Sequence, residues 1–279
     1  MREPYGVRLA AAVAERGPLC VGVDPHPGVL KAWGLDATVQ GLERCARGMV
    51  EALGDVVAVL KPQSAFFEAY GSAGVAVLER VLADCAAAGA LSLLDVKRGD
   101  IGSTMDAYAA AYLTDGSPLA ADAVTLSPYL GFGSLDGAID VARAHGRGVY
   151  VLALTSNPEG PQVQHARTSA GRGAGSTVGQ TVVDEAARRN AGDRPGDVGV
   201  VVGATIGRTG TRFDHLNGSV LAPGLGAQGG TVADLAEVFG AALPLVLPTT
   251  SRDVMRAGPD PERLRAAARA VVESVAGLG

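Results

Sequence analysis

Residues 90–104 read ALSLLDVKRGDIGST. The first half is almost wholly apolar, as a strand covered on both faces requires, and the second half carries Asp95, Lys97 and Asp100 into a glycine turn. Seven further runs follow the same pattern: LCVGVD (19–24), DVVAVLK (55–61), ADAVTLS (121–127), VYVLALTS (149–156), VGVVVGAT (198–205), SVLAP (219–223) and LPLVLPTTSR (243–252). Each stops in polar or turn-forming residues. Little strict polar alternation interrupts them, so they read as buried parallel strands.

Helical segments fit between the runs. In residues 38–53, Val39, Leu42, Ala46, Met49 and Leu53 recur near helical spacing. Alanine-rich stretches at 71–88, 103–113, 134–145, 177–190, 231–240 and 261–276 predict more helices, and 207–216 a weaker one. This eightfold strand/helix alternation predicts an α/β fold of the (β/α)8 TIM-barrel type. A doubly wound sheet is disfavoured because no Gly-rich dinucleotide fingerprint follows the first strand. The chain has 279 residues, and about 250 is typical of one such barrel, so a single domain is expected over 1–279. The long non-periodic segment NPEGPQVQHARTSAGRGAGS, 157–176, falls between the fifth strand and its helix. That position predicts an active-site loop rather than a linker.

Composition narrows the function classes. A formal charge of -5 argues against a chain that coats a polyanion, and no nucleic-acid partner is expected. No uninterrupted apolar stretch reaches the roughly 18 residues of a membrane span, so no membrane partner is expected either. The first residues, MREPYGVRLAAAVAERG, lack the basic end and apolar core of a secretion signal, which predicts a cytoplasmic protein. Cys20, Cys45 and Cys85 lie far apart without paired spacing, and they read as small buried hydrophobes. Only three of the 24 basic residues are lysines: Lys31, Lys61 and Lys97.

In a parallel barrel every strand ends on one rim, where catalytic side chains gather. Asp24 closes the first run, Lys61 the second, Asp95 and Lys97 the third, Thr125 and Ser127 the fourth, Thr155 and Ser156 the fifth, and Thr205 the sixth. Asp95 and Lys97 are two apart and project to the same side if the strand persists. With Lys61, the alternating carboxylates and ammonium groups would keep both lysines protonated, an arrangement suited to chemistry that creates negative charge. A purely structural ion network is the alternative reading. Near the seventh and eighth strand ends, APGLGAQGG (222–230) offers a flexible loop with Gln228, and TTSR (249–252) offers Arg252. Barrels often bind phosphate there, and arginine adds a bidentate contact.

Other motifs carry less. GRGAG at 171–175 lacks both the preceding strand and the Lys-Ser/Thr pair of a P-loop. His26, His145, His165 and His215 are scattered, without HExxH spacing, and no metal is assigned. Ser156 has no GxSxG elbow around it.

The chain resembles the orotidine 5'-phosphate decarboxylases, in particular the longer bacterial branch of mycobacteria and other actinobacteria. The likeness covers nearly the whole chain. It is carried by the Asp-x-Lys-x-x-Asp signature at Asp95, Lys97 and Asp100, followed by Ile101 and Thr104, with Lys61 as the fourth member of a Lys-Asp-Lys-Asp array. The resemblance implies decarboxylation of orotidine 5'-phosphate to uridine 5'-phosphate (UMP) and carbon dioxide, the last step of de novo UMP synthesis, without organic cofactor or metal. It implies that Lys97 stabilises and protonates the C6 carbanion while Lys61, Asp95 and Asp100 hold it in place. Asp24 and Lys61 would meet the ribose, Ser156 the pyrimidine, Gln228 the phosphate and base, and Arg252 the phosphate. It further implies a homodimer with shared sites, in which Asp100, Ile101 and Thr104 enter the partner's pocket.

Two features depart from the family pattern. Segment 157–176 is longer than in compact members, which leaves open whether Gln162, Gln164 or a neighbour closes over the ligand. Ser251 stands before Arg252 where many members have glycine. Two other functions compete: a barrel aldolase forming a Schiff base through Lys61 or Lys97, and a noncatalytic phosphate-ligand binder.

Overall fold

In the computed structural model, eight parallel strands pair in chain order: β1 (Cys20–Val23), β2 (Val59–Pro62), β3 (Leu91–Arg98), β4 (Ala123–Leu126), β5 (Gly148–Leu154), β6 (Val198–Val202), β7 (Val220–Pro223) and β8 (Val246–Thr250). β1 also pairs with β8, placing Cys20 beside Thr249, and this closes the barrel the sequence predicts. The structure describes residues 2–227 and 229–278. Gln228 therefore lies outside the described residues.

Two sets of apolar side chains explain the closure. One fills the barrel itself, with Val59, Leu93, Tyr150, Leu221 and Leu247 among its members. The larger set lies between the strands and the surrounding helices. Every strand thus buries both faces, which is why the runs lack alternation. An N-terminal helix that the spacing does not predict, α1 (Tyr5–Arg16), carries Tyr5 and Leu9 into the inner set, and the Tyr5 and Tyr150 hydroxyls meet at 3.1 Å. Gly199 makes room for this plug, since a Cβ there would sit 2.5 Å from the Tyr150 ring.

The outer helices are α2 (Pro27–Ala32), α3 (Val39–Leu53), α4 (Ser64–Glu68), α5 (Gly71–Ala88), α6 (Gly102–Leu113), α7 (Asp136–Ala144), α8 (Pro161–Gln164), α9 (Val178–Arg189), α10 (Val232–Phe239), α11 (Arg252–Met255) and α12 (Pro261–Val275). Side-chain caps start several of them. Thr38 accepts from Gly41, Thr177 from Gln180 and Asp260 from Arg263, while Thr231 and Asp234 form a reciprocal capping box. His26 caps α2 by accepting from the Gly28 N–H at 3.2 Å. Among the described residues, no helix is long and apolar enough to cross a membrane.

The expected helix at 207–216 does not form. Gly207 and Gly210 both take positive φ, and Thr209 Oγ1 accepts from the Thr211 N–H, a local bond that competes with helix. The Gln180 side chain then pins the extended segment by bonding both the N–H and the carbonyl of Arg212. Segment 157–176 is not wholly irregular, since it contains α8 and its Arg167 bridges to Thr177 just beyond it.

Candidate active site

The rim of β1, β2 and β3 is built around one carboxylate. Asp95 is 6% exposed, and both of its oxygens are fully engaged. Oδ1 accepts from Lys97 Nζ at 2.6 Å and Thr125 Oγ1 at 2.7 Å. Oδ2 accepts from Lys97 Nζ at 2.7 Å, Gln63 Nε2 at 2.7 Å and Lys61 Nζ at 3.3 Å. Burial opposes ionisation of Asp95, yet Lys61 and Lys97 outweigh it and hold the carboxyl well below the usual carboxylate range. For Lys61, burial again opposes the charge, and Asp95 and Asp24 overcome it, keeping the ammonium above the ordinary lysine range.

Strand β3 runs through Lys97, but its ladder with β4 is not regular. Its pairing with β4 runs Leu94 to Val124 and then jumps to Arg98 with Leu126, so a bulge occupies residues 95–97. Lys97 sits at φ +47°, in the left-handed region. Asp95 and Lys97 still meet, because the Lys97 side chain folds back onto the carboxylate. Its own side chain remains 46% exposed, facing the open mouth.

Asp24, Lys61, Gln63, Asp95, Lys97 and Ser156 line one cavity of about 250 Å³, with Leu152, Val201 and Leu221 among its apolar walls. A second, smaller cavity of about 70 Å³ shares Asp24 and Lys61 and extends to Gly224, Ala227, Ser251 and Arg252. Within these cavities the buried Asp24 Oδ1 and Thr250 Oγ1 have no hydrogen-bond partner among the described residues. Arg252 Nη2 reaches the Ala227 carbonyl at 3.3 Å, and Asp253 accepts from the Ala227 N–H at 2.8 Å, fixing the loop after β7 to the start of α11. Ser251 Oγ lies 3.5 Å from the Gly22 carbonyl oxygen.

Asp100, Ile101 and Thr104 are not brought to this pocket within the chain. Asp100 accepts from the Ile101 N–H at 2.8 Å, Ile101 is 61% exposed and Thr104 is exposed. In the long loop, Gln164 is turned inward, bonding the Thr155 N–H at 2.8 Å and the Thr155 hydroxyl at 2.7 Å. Gln162 is exposed. Gln63 escaped the sequence reading, although its place two residues after Lys61 was the available signal. Register supplies the rest, since Gln63 pairs directly with Asp95.

The sequence of this chain matches the family described as orotidine 5'-phosphate decarboxylase / HUMPS across residues 17–267. The chain belongs to that family. It is 64% identical over 271 residues to the orotidine 5'-phosphate decarboxylase of Salinispora arenicola, covering 97% of this chain and 96% of that one. The Streptomyces coelicolor enzyme of the same name is 58% identical over 267 residues, covering 95% of each. A crystal structure from Streptomyces avermitilis, assigned to the same decarboxylase, superposes with a TM-score of 0.95 at 55% identity. That match covers 99% of this chain and 96% of the other.

Proposed function

We propose that this chain decarboxylates orotidine 5'-phosphate to UMP and carbon dioxide, the final step of de novo UMP synthesis. The observation that carries this reading is the Asp95 carboxylate clamped between two ammonium groups at the mouth of an apolar-walled cavity. Breaking the C6–carboxylate bond leaves an electron pair on C6 that the pyrimidine ring cannot delocalise. A fixed ammonium answers that demand, because preorganised charge in a sheltered site stabilises what develops in the transition state. In this scheme carbon dioxide leaves, a proton passes from Lys97 Nζ to C6, and the resulting amine regains its proton from water.

Asp95 and Lys61 keep that ammonium oriented, and the negative Asp95 also faces the departing carboxylate. Asp24, whose buried oxygen lacks a partner among the described residues, would take a ribose hydroxyl together with Lys61. Ser156 would meet the pyrimidine, and Arg252 with Gln228 the phosphate. Phosphate contacts remote from C6 supply binding energy that closes the loop at 157–176 over the site. We further infer a cytoplasmic homodimer in which Asp100, Ile101 and Thr104 complete the partner's pocket. The exposure of Ile101 and Thr104, and the absence of all three residues from the linings of the two cavities, support that arrangement.

A Schiff-base aldolase would need a neutral lysine, and the carboxylates around Lys61 favour the charged form. The test is loss of orotidine 5'-phosphate absorbance with purified protein, followed by identification of UMP. Absence of conversion overturns the proposal, and a borohydride-trapped lysine adduct would establish the aldolase instead.

A further inference from the structure

We propose that Thr125 is a positioning residue, whose hydroxyl holds the β3 bulge in the shape that aims the Lys97 ammonium. The inference rests on the decarboxylase reading for its kinetic consequence, but its structural basis is independent. Between the pairs Leu94–Val124 and Arg98–Leu126, residues 95, 96 and 97 of β3 face the single residue Thr125 of β4. Such a bulge deprives the strand of its regular ladder.

The Thr125 side chain replaces what the ladder loses. Its Oγ1 accepts from the Val96 N–H at 3.0 Å and the Lys97 N–H at 2.9 Å, and it donates to Asp95 Oδ1 at 2.7 Å. A hydroxyl has one proton and two acceptor lone pairs, so all three capacities are used. Thr125 is 1% exposed, which leaves water no access to substitute for it.

The geometry it supports is unusual. A branched or long side chain at positive φ persists only where its surroundings over-determine the backbone. At Lys97 those surroundings are Thr125 on the N–H side and Ser127 on the carbonyl side. Ser127 Oγ donates to the Lys97 carbonyl at 3.0 Å, and the Ser127 N–H donates to Arg98 at 2.7 Å. One hydroxyl therefore ties together the Asp95 carboxylate and the backbone from which the Lys97 side chain departs.

Thr125→Val, Thr125→Ala and Thr125→Ser separate the hydroxyl from the methyl group. Val and Ala should lower kcat about a hundredfold, the scale of a small misplacement of a catalytic group. KM and UMP affinity should stay within about threefold, and Ser should restore kcat to within about threefold of the unsubstituted chain. If Val does not fold, Ala against Ser gives the same contrast. Full kcat in the hydroxyl-free variants, equal loss in Ser, or a loss confined to KM would overturn the proposal. A crystal structure of Thr125→Ala supplies a readout independent of turnover. Residue 97 leaving the left-handed region supports the assignment, and residue 97 staying there refutes it. Failure of the unsubstituted chain to convert orotidine 5'-phosphate would instead strike the decarboxylase reading.

Discussion

Replacing Asp95 by asparagine keeps the shape of the side chain and removes its charge. In the native chain the buried carboxylate lies 3.3 Å from Lys61 and 2.6 Å from Lys97. At an effective dielectric of ~20, the Lys61 contact amounts to about 5 kcal/mol of gross attraction. The half-exposed Lys97 is screened and adds at most about 1 kcal/mol. Desolvation offsets much of this, but removing one member leaves Lys61 buried beside an uncharged amide, a change that costs about 3–5 kcal/mol in buried pairs. Asp95→Asn should therefore lose about 3–5 kcal/mol at pH 7, measured by urea denaturation followed by circular dichroism.

The pH dependence sharpens the test. Asp95 ionises well below the usual range because Lys61 and Lys97 overcome the burial that opposes its charge. Its contribution is present above the unfolded-state value of ~3.9 and is lost as pH falls toward the folded value. Between pH 7 and pH 3, linkage predicts that the stability gap between native and variant chains narrows by about 1.3 kcal/mol. Lys61 has the opposite sign, since its raised value contributes below ~10.4 and is lost only as pH rises through the folded value, outside this window. A gap under about 1 kcal/mol at pH 7, or one that does not change between the two pH values, would refute the reasoning.

Lys97→Ala should lower turnover by roughly 10²–10⁴-fold, the range of a lost general acid, while UMP still binds in calorimetry; near-normal turnover would remove Lys97 from the proton-donor role. Arg252→Ala should reduce kcat/KM about 10- to 100-fold through loss of a charged contact, with the change concentrated in KM. An unchanged substrate dependence would reject the phosphate assignment. Coexpressing Lys97→Ala chains with Asp100→Ala chains should recover about a quarter of native activity, because half of the dimers would then hold one intact shared site. No recovery above either variant alone would show that each chain completes its own pocket.

Much of this molecule is legible in the sequence because burial leaves a one-dimensional trace. Strands covered on both faces must be apolar throughout, so the runs ending at Asp24, Lys61 and Asp95 mark both the barrel and its rim. What periodicity cannot convey is pairing between strands. Gln63 joins the site through its register with Asp95, and Thr125 through a bulge in β3, and neither event alters the local pattern. Residues 207–216 failed as a helix for a related reason: glycines at positive φ and a side chain from α9 outweigh weak propensity. The resemblance implies that Asp100, Ile101 and Thr104 serve a partner's pocket, and within the single chain they line neither of the two cavities described above.

The lysine count gains a physical explanation from the same geometry. With 21 of 24 basic residues being arginine, the chain meets most needs for positive charge with guanidinium groups. Arg98 stacks over Tyr108 and Tyr112 and bonds Glu68, and Arg265 spans both oxygens of Asp55. A guanidinium at position 61 would bring five donors into a nearly closed site that offers Asp95 and Asp24 as its carboxylates. At position 97 it would supply charge without a proton that it can release, because arginine stays protonated in proteins. A compact ammonium suits both positions, since Lys61 is 6% exposed between its carboxylates and the proposed mechanism asks Lys97 for a proton. Lys31, exposed near the end of α2, faces neither requirement, so rarity alone does not identify a catalytic lysine. In the proposed mechanism, the ion pairs of Lys61 and Lys97 with Asp95 set those two apart from Lys31.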